Sequence, residues 1–115
     1  MLTMQRGEVW WVQFDPAVGS EIRKLRPAVI ISNAVANQHL ARVVVVPVSS
    51  NVERCYPSEA RITIMGRAAK AMADQIMSAD KSRLREQADI LGPADLKRVD
   101  AVLALHLGLT PPASR

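Results

Sequence analysis

Val9-Trp10-Trp11-Val12-Gln13-Phe14 and Ala28-Val29-Ile30-Ile31 flank the polar stretch Gly19-Ser20-Glu21-Ile22-Arg23-Lys24-Leu25-Arg26-Pro27. The two outer runs are apolar and rich in β-branched and aromatic residues, the composition of buried strands. Asp15-Pro16 ends the first run and opens a long loop. That loop sets Glu21, Arg23, Lys24 and Arg26 within six residues. Such a cluster between rigid strands suits a phosphate-bearing ligand, and a solvated hairpin tip is the plain alternative. Trp10 and Trp11 are neighbours in a strand and must point to opposite faces of the sheet. One is expected in the core and the other exposed or at an interface.

Working outward, Pro27 to Ser32 reads as a strand closed by Asn33, and Ala34 to Leu40 as a helical turn. Arg42 to Val48 is a valine-rich strand buried on both faces, ending at Ser49-Ser50-Asn51. Glu59 to Met65 alternates in strand fashion and Gly66 closes it. Ala71 to Ala79 is expected as one further strand, followed by a turn at Asp80-Lys81-Ser82-Arg83 with Asp80 in an N-cap role. Ala88 to Leu91 reads as a short edge strand. Gly92-Pro93 then opens a helix in which Leu96, Val99, Leu103 and Leu107 recur at helical spacing, with Val102 and Leu105 widening the stripe. Gly108 occupies the C-terminal cap position, and Pro111-Pro112 prevents continuation. Strands first and a helix last predict a mainly β domain, a small antiparallel barrel of roughly five to seven strands with one C-terminal helix on it.

At 115 residues and 49% apolar composition, residues 1–115 suffice for a single domain with one core. Cys55, the single cysteine, excludes an internal disulfide and reads as a small filler. The longest apolar run, Val43 to Val48, is too short to span a bilayer. A soluble cytoplasmic protein is expected. Residues 20–70 carry eight Lys/Arg against three acids, while residues 71–115 balance six against six. A basic face on an otherwise neutral body is a footprint for nucleic acid or an acidic protein. His39 and His106 lie far apart with no second ligand at metal spacing, and no Gly-rich phosphate loop or nucleophile elbow occurs. No metal and no cofactor are expected.

Arg6-Gly7-Glu8-Val9-Trp10, Gly19-Ser20-Glu21, Arg26-Pro27-Ala28-Val29-Ile30-Ile31-Ser32 and Val46-Pro47-Val48-Ser49-Ser50 together resemble the MazF/PemK/Kid family of toxin endoribonucleases. Ala73-Asp74-Gln75-Ile76, Asp80-Lys81-Ser82-Arg83-Leu84 and Val99 to Leu109 continue the resemblance in order, over nearly the whole chain. It implies an SH3-like β-barrel and a dimeric toxin. Such a toxin cleaves single-stranded RNA without metal, leaves a 2′,3′-cyclic phosphate and a 5′-hydroxyl, and is inhibited by an acidic antitoxin. The family's catalytic arginine falls on Arg26, and its strand-end threonine on Ser49, which keeps the hydroxyl and loses the methyl. Glu21 is the expected proton acceptor. Gly19, Ser20, Arg23, Lys24, Ser50 and Gln75 are expected to contact RNA. Met77 stands where many relatives carry arginine. Two rivals use the same barrel: a non-catalytic toxin similar to the CcdB gyrase poisons, and an RNA-binding barrel without catalysis. The tail Thr110 to Arg115 lacks the apolar anchor of the first, and the second leaves Glu21 beside Arg26 without a purpose.

Overall fold

The structure, a computed structural model, describes residues 4–14 and 25–109. Its elements are β1 (Glu8–Gln13), β2 (Leu25–Ile30), α1 (Ala34–His39), β3 (Arg42–Ser49), β4 (Glu59–Ile64), β5 (Arg67–Met72), β6 (Met77–Asp80), β7 (Leu84–Ile90) and α2 (Pro93–His106). The strands form a curled antiparallel sheet in the order β4-β5-β3-β2-β1-β7, with β6 also on β3. The expected mainly β barrel-like sheet with a terminal helix is present.

β3 organises the sheet because it changes partner along its length. Val45 at one end of its β6 ladder pairs Met77, and Val48 at the start of its β5 ladder pairs Ala71. Pro47 stands at that changeover, where the ladder of a central strand is already interrupted. The chain makes the matching switch between β5 and β6 through a 3-10 turn at Ala73–Gln75. The Ala71–Ala79 strand read from the sequence is therefore corrected to two strands and a turn, with β5 starting at Arg67. Its Ala68-Ala69-Lys70-Ala71 core offers little β-propensity and almost no contrast between faces, which hid it. The edge strand expected at Ala88–Leu91 is the end of a longer one, β7, whose Arg85, Glu86 and Gln87 are exposed. Charge on a sheet edge discourages pairing with another chain.

The central strands are buried on both faces, as their apolar runs predict. Val9, Val29, Val46 and Val48 pack with Ile62, Ala71, Val99 and Leu103 under α2. Val12, Ala28, Ile30, Val43 and Val45 pack on the opposite face inside the curl with Leu84 and Ala79. Trp10 lies against this second cluster and donates from Nε1 to Glu8 Oε1 (2.8 Å). Trp11 faces the other way, so the opposite-face expectation is met, but neither indole is fully buried. Among the described residues, no helix is long and apolar enough to cross a membrane.

α2 begins and ends where the sequence places it. Gly108 at φ +70° donates to Leu105 O and Leu109 donates to Ala104 O, closing the last turn with a left-handed residue. The apolar stripe is shorter than its spacing suggests: Val99 and Leu103 are buried, while Leu105 and Leu107 are about half exposed.

Met65-Gly66 forms the two-residue turn between β4 and β5, with φ of 49° and 74°. Two positive values define the tight turn that matches strand twist, and they favour Asn-Gly. Methionine is strained at the first position by about 1 kcal/mol. Met65→Asn should therefore raise stability by ~0.5–1 kcal/mol, read as a denaturant midpoint shifted upward with an unchanged slope.

Candidate functional site

The ends of β2 and β3 and the β4–β5 turn enclose an open groove of about 770 Å³. Arg26, Ser49 and Ser50 reach it from the central strands, Met65 and Arg67 from the turn, and Trp11 closes one side. Arg26 belongs to β2, opposite Val12 of β1, and not to the preceding loop as its charged neighbours suggested. A strand-held guanidinium is better fixed than one on a loop tip. Neither the Arg26 nor the Arg67 guanidinium makes a hydrogen bond or ion pair with any described residue. Other basic side chains are already committed: Arg61 to Val52 O, Arg83 to Gln13 O and Phe14 O, and Lys70 to Glu59.

Ser49 is the last residue of β3, and its Oγ accepts from Asn51 N (3.1 Å). That bond uses a lone pair and leaves the hydroxyl proton available to a ligand. Of the expected site residues, the structure brings Arg26, Ser49 and Ser50 together. Gln75 sits exposed on the 3-10 turn, its Nε2 3.5 Å from Met72 Sδ, and is not part of the groove lining. Glu21, Gly19, Ser20, Arg23 and Lys24 lie outside the described residues. Arg67 and Met65 were not singled out for the site from the sequence, whereas of the two tryptophans that could offer a base a stacking face, Trp11 is the one lining the groove. Arg67 is visible there only as one more positive charge, and strand register is what carries it to the groove.

Beside the groove lies a buried ion pair. Lys70 of β5, directly opposite Ser49 of β3, sits 3.0 Å from Glu59 Oε1. Burial pushes the Glu59 carboxyl up, but the Tyr56 N–H and the Lys70 ammonium outweigh it and hold the group below its ordinary range. Along the sheet's edge strand β4, Asp95 Oδ2 accepts from Thr63 N (2.9 Å) and Asp89 Oδ2 from Met65 N (2.6 Å). N–H bonds from Met65 and Ile90 hold Asp89 low, and the Ser82 N–H and hydroxyl hold the exposed Asp80 low. All three carboxyls bind protons more tightly in the unfolded chain, so protonation favours unfolding. Stability should be level above about pH 5 and fall as pH drops through and below the ordinary carboxylate range near 4. A thermal midpoint unchanged down to pH 3 would contradict this, and Asp89→Ala should flatten the fall. Among the described residues, no group of three or more His, Cys, Asp or Glu is placed to share a metal ion.

A curled antiparallel sheet capped by a C-terminal helix is the architecture that the resemblance to small β-barrel toxins implies, and Arg26 and Ser49 stand at neighbouring strand ends in it. The sequence model of the PemK-like, MazF-like toxins of type II toxin–antitoxin systems matches residues 5–107, and the chain belongs to that family. It is 41% identical to endoribonuclease MazF9 of Mycobacterium tuberculosis, over 92% of this chain and 98% of that protein. MazF in a MazE–MazF structure from Deinococcus radiodurans superposes with a TM-score of 0.83 at 28% identity, covering 96% of this chain and 100% of that one. A mycobacterial endoribonuclease in complex with its cognate antitoxin gives a TM-score of 0.78 at 26% identity, covering 95% and 99% of the two chains.

Proposed function

We propose that this protein is an endoribonuclease toxin that cleaves single-stranded RNA in the Arg26–Ser49 groove and is held inactive by a cognate antitoxin. The observation that carries the reading is that Arg26 and Arg67, whose guanidiniums have no partner among the described residues, line one groove with Ser49 and Ser50. Family membership and the relatives named as endoribonucleases support it.

The chemistry follows from what those groups can do. The ribose 2′-oxygen attacks the adjacent phosphorus, the bond from phosphorus to the 5′-oxygen breaks, and a 2′,3′-cyclic phosphate and a 5′-hydroxyl result. The attacking hydroxyl gives its proton to a carboxylate, a role assigned to Glu21, and the departing 5′-oxygen takes up a proton from solvent water. Negative charge gathers on the non-bridging oxygens, where a planar guanidinium such as Arg26 can hold two at once. Because a guanidinium donates and does not accept, Arg26 stabilises charge and leaves proton removal to another group. Ser49 donates to the same phosphate. Arg67, on the far wall, takes a neighbouring phosphate, and Trp11 offers a ring for a base to stack on. Gly19, Ser20, Arg23, Lys24, Ser50 and Gln75 are proposed as further RNA contacts. The step needs no metal. Incubating the protein with a long RNA in EDTA and mapping the ends tests this: 2′,3′-cyclic phosphate and 5′-hydroxyl ends are expected. Intact RNA would favour a non-catalytic barrel.

Two assemblies accompany the reading. An acidic antitoxin segment, folding as it binds, would cover the basic face and the loop before Arg26. A homodimer would cover the exposed Leu105, Leu107 and Leu109 at the end of α2. Sedimentation at micromolar concentration should show twice the chain mass.

A further inference from the structure

Lys70 is the one buried charged residue among those described, 7% exposed, and the reaction above does not use it. Its ammonium has three partners around it: Glu59 Oε1 at 3.0 Å, Arg54 O at 2.9 Å and the Tyr56 ring at 5.6 Å. Glu59 Oε1 also accepts from Tyr56 N (2.9 Å). The pair thus grips the backbone of the β3–β4 loop at two places. A third grip comes from Arg61, whose Nη1 donates to Val52 O (2.9 Å). Strand register sets Ser49, Lys70 and Arg61 opposite one another across β3, β5 and β4. The loop held by this row begins at Ser50, in the groove, where Ser49 Oγ takes Asn51 N.

Stability alone does not explain such a pair. Two well-packed apolar side chains would serve the core as well as a buried ion pair or better. What apolar side chains cannot do is bond Arg54 O and Tyr56 N, and those bonds fix where the loop stands beside Ser49.

We propose that the buried Lys70–Glu59 pair, with Arg61, is a positioning device. It locks the Asn51–Ser58 loop against the end of β3 and so selects which bases beside the scissile phosphate are accepted. The inference rests on the groove being the RNA-cleaving site. Groups around a reacting centre lose much of their effect when displaced by about 1 Å, so a loosened loop changes selectivity before it changes the fold.

The test is the double variant Lys70→Met/Glu59→Leu, which keeps the volume and leaves no charge unpaired. Its thermal midpoint should stay near that of the unaltered protein. Amide hydrogen exchange over Asn51–Ser58, measured without RNA, should speed up about tenfold or more, while β3 and β5 stay protected. End mapping on a long mixed-sequence RNA should show cleavage at more sequences, with kcat/KM at the preferred one down by roughly 10- to 100-fold. Arg61→Leu, a change at an exposed residue, should move both readouts the same way by less, and it decides the matter if the double variant fails to fold. Unchanged loop exchange would overturn the proposal, as would a loosened loop with an unaltered cleavage sequence. If the unaltered protein left RNA intact, the endoribonuclease reading would fall, and the exchange experiment would still decide whether the loop is clamped.

Discussion

Arg26→Ala should reduce RNA cleavage by roughly a hundred- to thousand-fold, the loss seen when one preorganised donor to a developing oxyanion is removed. Arg26 stands at the end of β2 with no described partner for its guanidinium, so its removal orphans no buried group among the described residues. Folding should be untouched, which a thermal melt checks in the same sample. Arg26→Lys should recover little, because a point charge cannot replace a two-pronged fork. Ser49→Ala should lose activity as well. Ser49→Thr should keep or raise it, since a β-branched side chain holds its hydroxyl in fewer rotamers. An Arg26→Ala variant with full activity would place the reaction elsewhere on the molecule.

Asn37→Ala should cost ~2–4 kcal/mol of stability and lower the thermal midpoint by on the order of 10 °C. Asn37 is 1% exposed and serves as a buried hub. Its Nδ2 donates to Met4 O (3.0 Å) and Ser32 O (2.9 Å), and its Oδ1 accepts from the Ser32 hydroxyl. Ser32 Oγ in turn accepts from Val44 N (3.0 Å). The residue therefore ties the start of the chain, the end of β2 and the flank of β3 together from a six-residue helix. Truncating it leaves the Met4 and Ser32 carbonyls without the donor that Asn37 supplies, and a cavity beside them. Asn37→Asp should be worse, since it buries a charge and turns a donor away from two carbonyls. A change below 0.5 kcal/mol in chemical denaturation would contradict the hub.

Some parts of the molecule can be read from its sequence and others cannot. Local signals were legible because they act locally: Pro93 and Gly108 bound α2, Asp80 caps its turn by accepting from Ser82 N, and Gly66 marks the β4–β5 hairpin. The two-faced burial of Val43 to Val48 was legible because a continuous apolar run leaves no polar face to expose. The alanine-rich β5 was not, since alanine marks neither face of a strand. Leu107 fitted the helical spacing but lies one residue past the end of α2, so it faces solvent. In the site, Arg26 and Ser49 were marked by resemblance, not by spacing, because a lone arginine and a lone serine are common at strand ends. Arg67 and Lys70, and the choice of Trp11 over Trp10, depend on register between distant strands, which no local pattern reveals. Asn37 gave no signal at all: its importance is a matter of three side-chain bonds to Met4 and Ser32, residues far from it or outside any helical pattern.

The measurement closest to the central claim uses one RNA in two forms, identical except for 2′-deoxyribose at the scissile position, with the protein in EDTA. The ribose form should be cleaved to a 2′,3′-cyclic phosphate and a 5′-hydroxyl. The deoxy form should bind with similar affinity and remain intact, because the attacking oxygen is missing while every phosphate contact to Arg26, Arg67 and Ser49 is kept. Cleavage of the deoxy form, or loss of all cleavage in EDTA, would contradict attack by the 2′-hydroxyl in a groove whose working groups are a guanidinium and a serine.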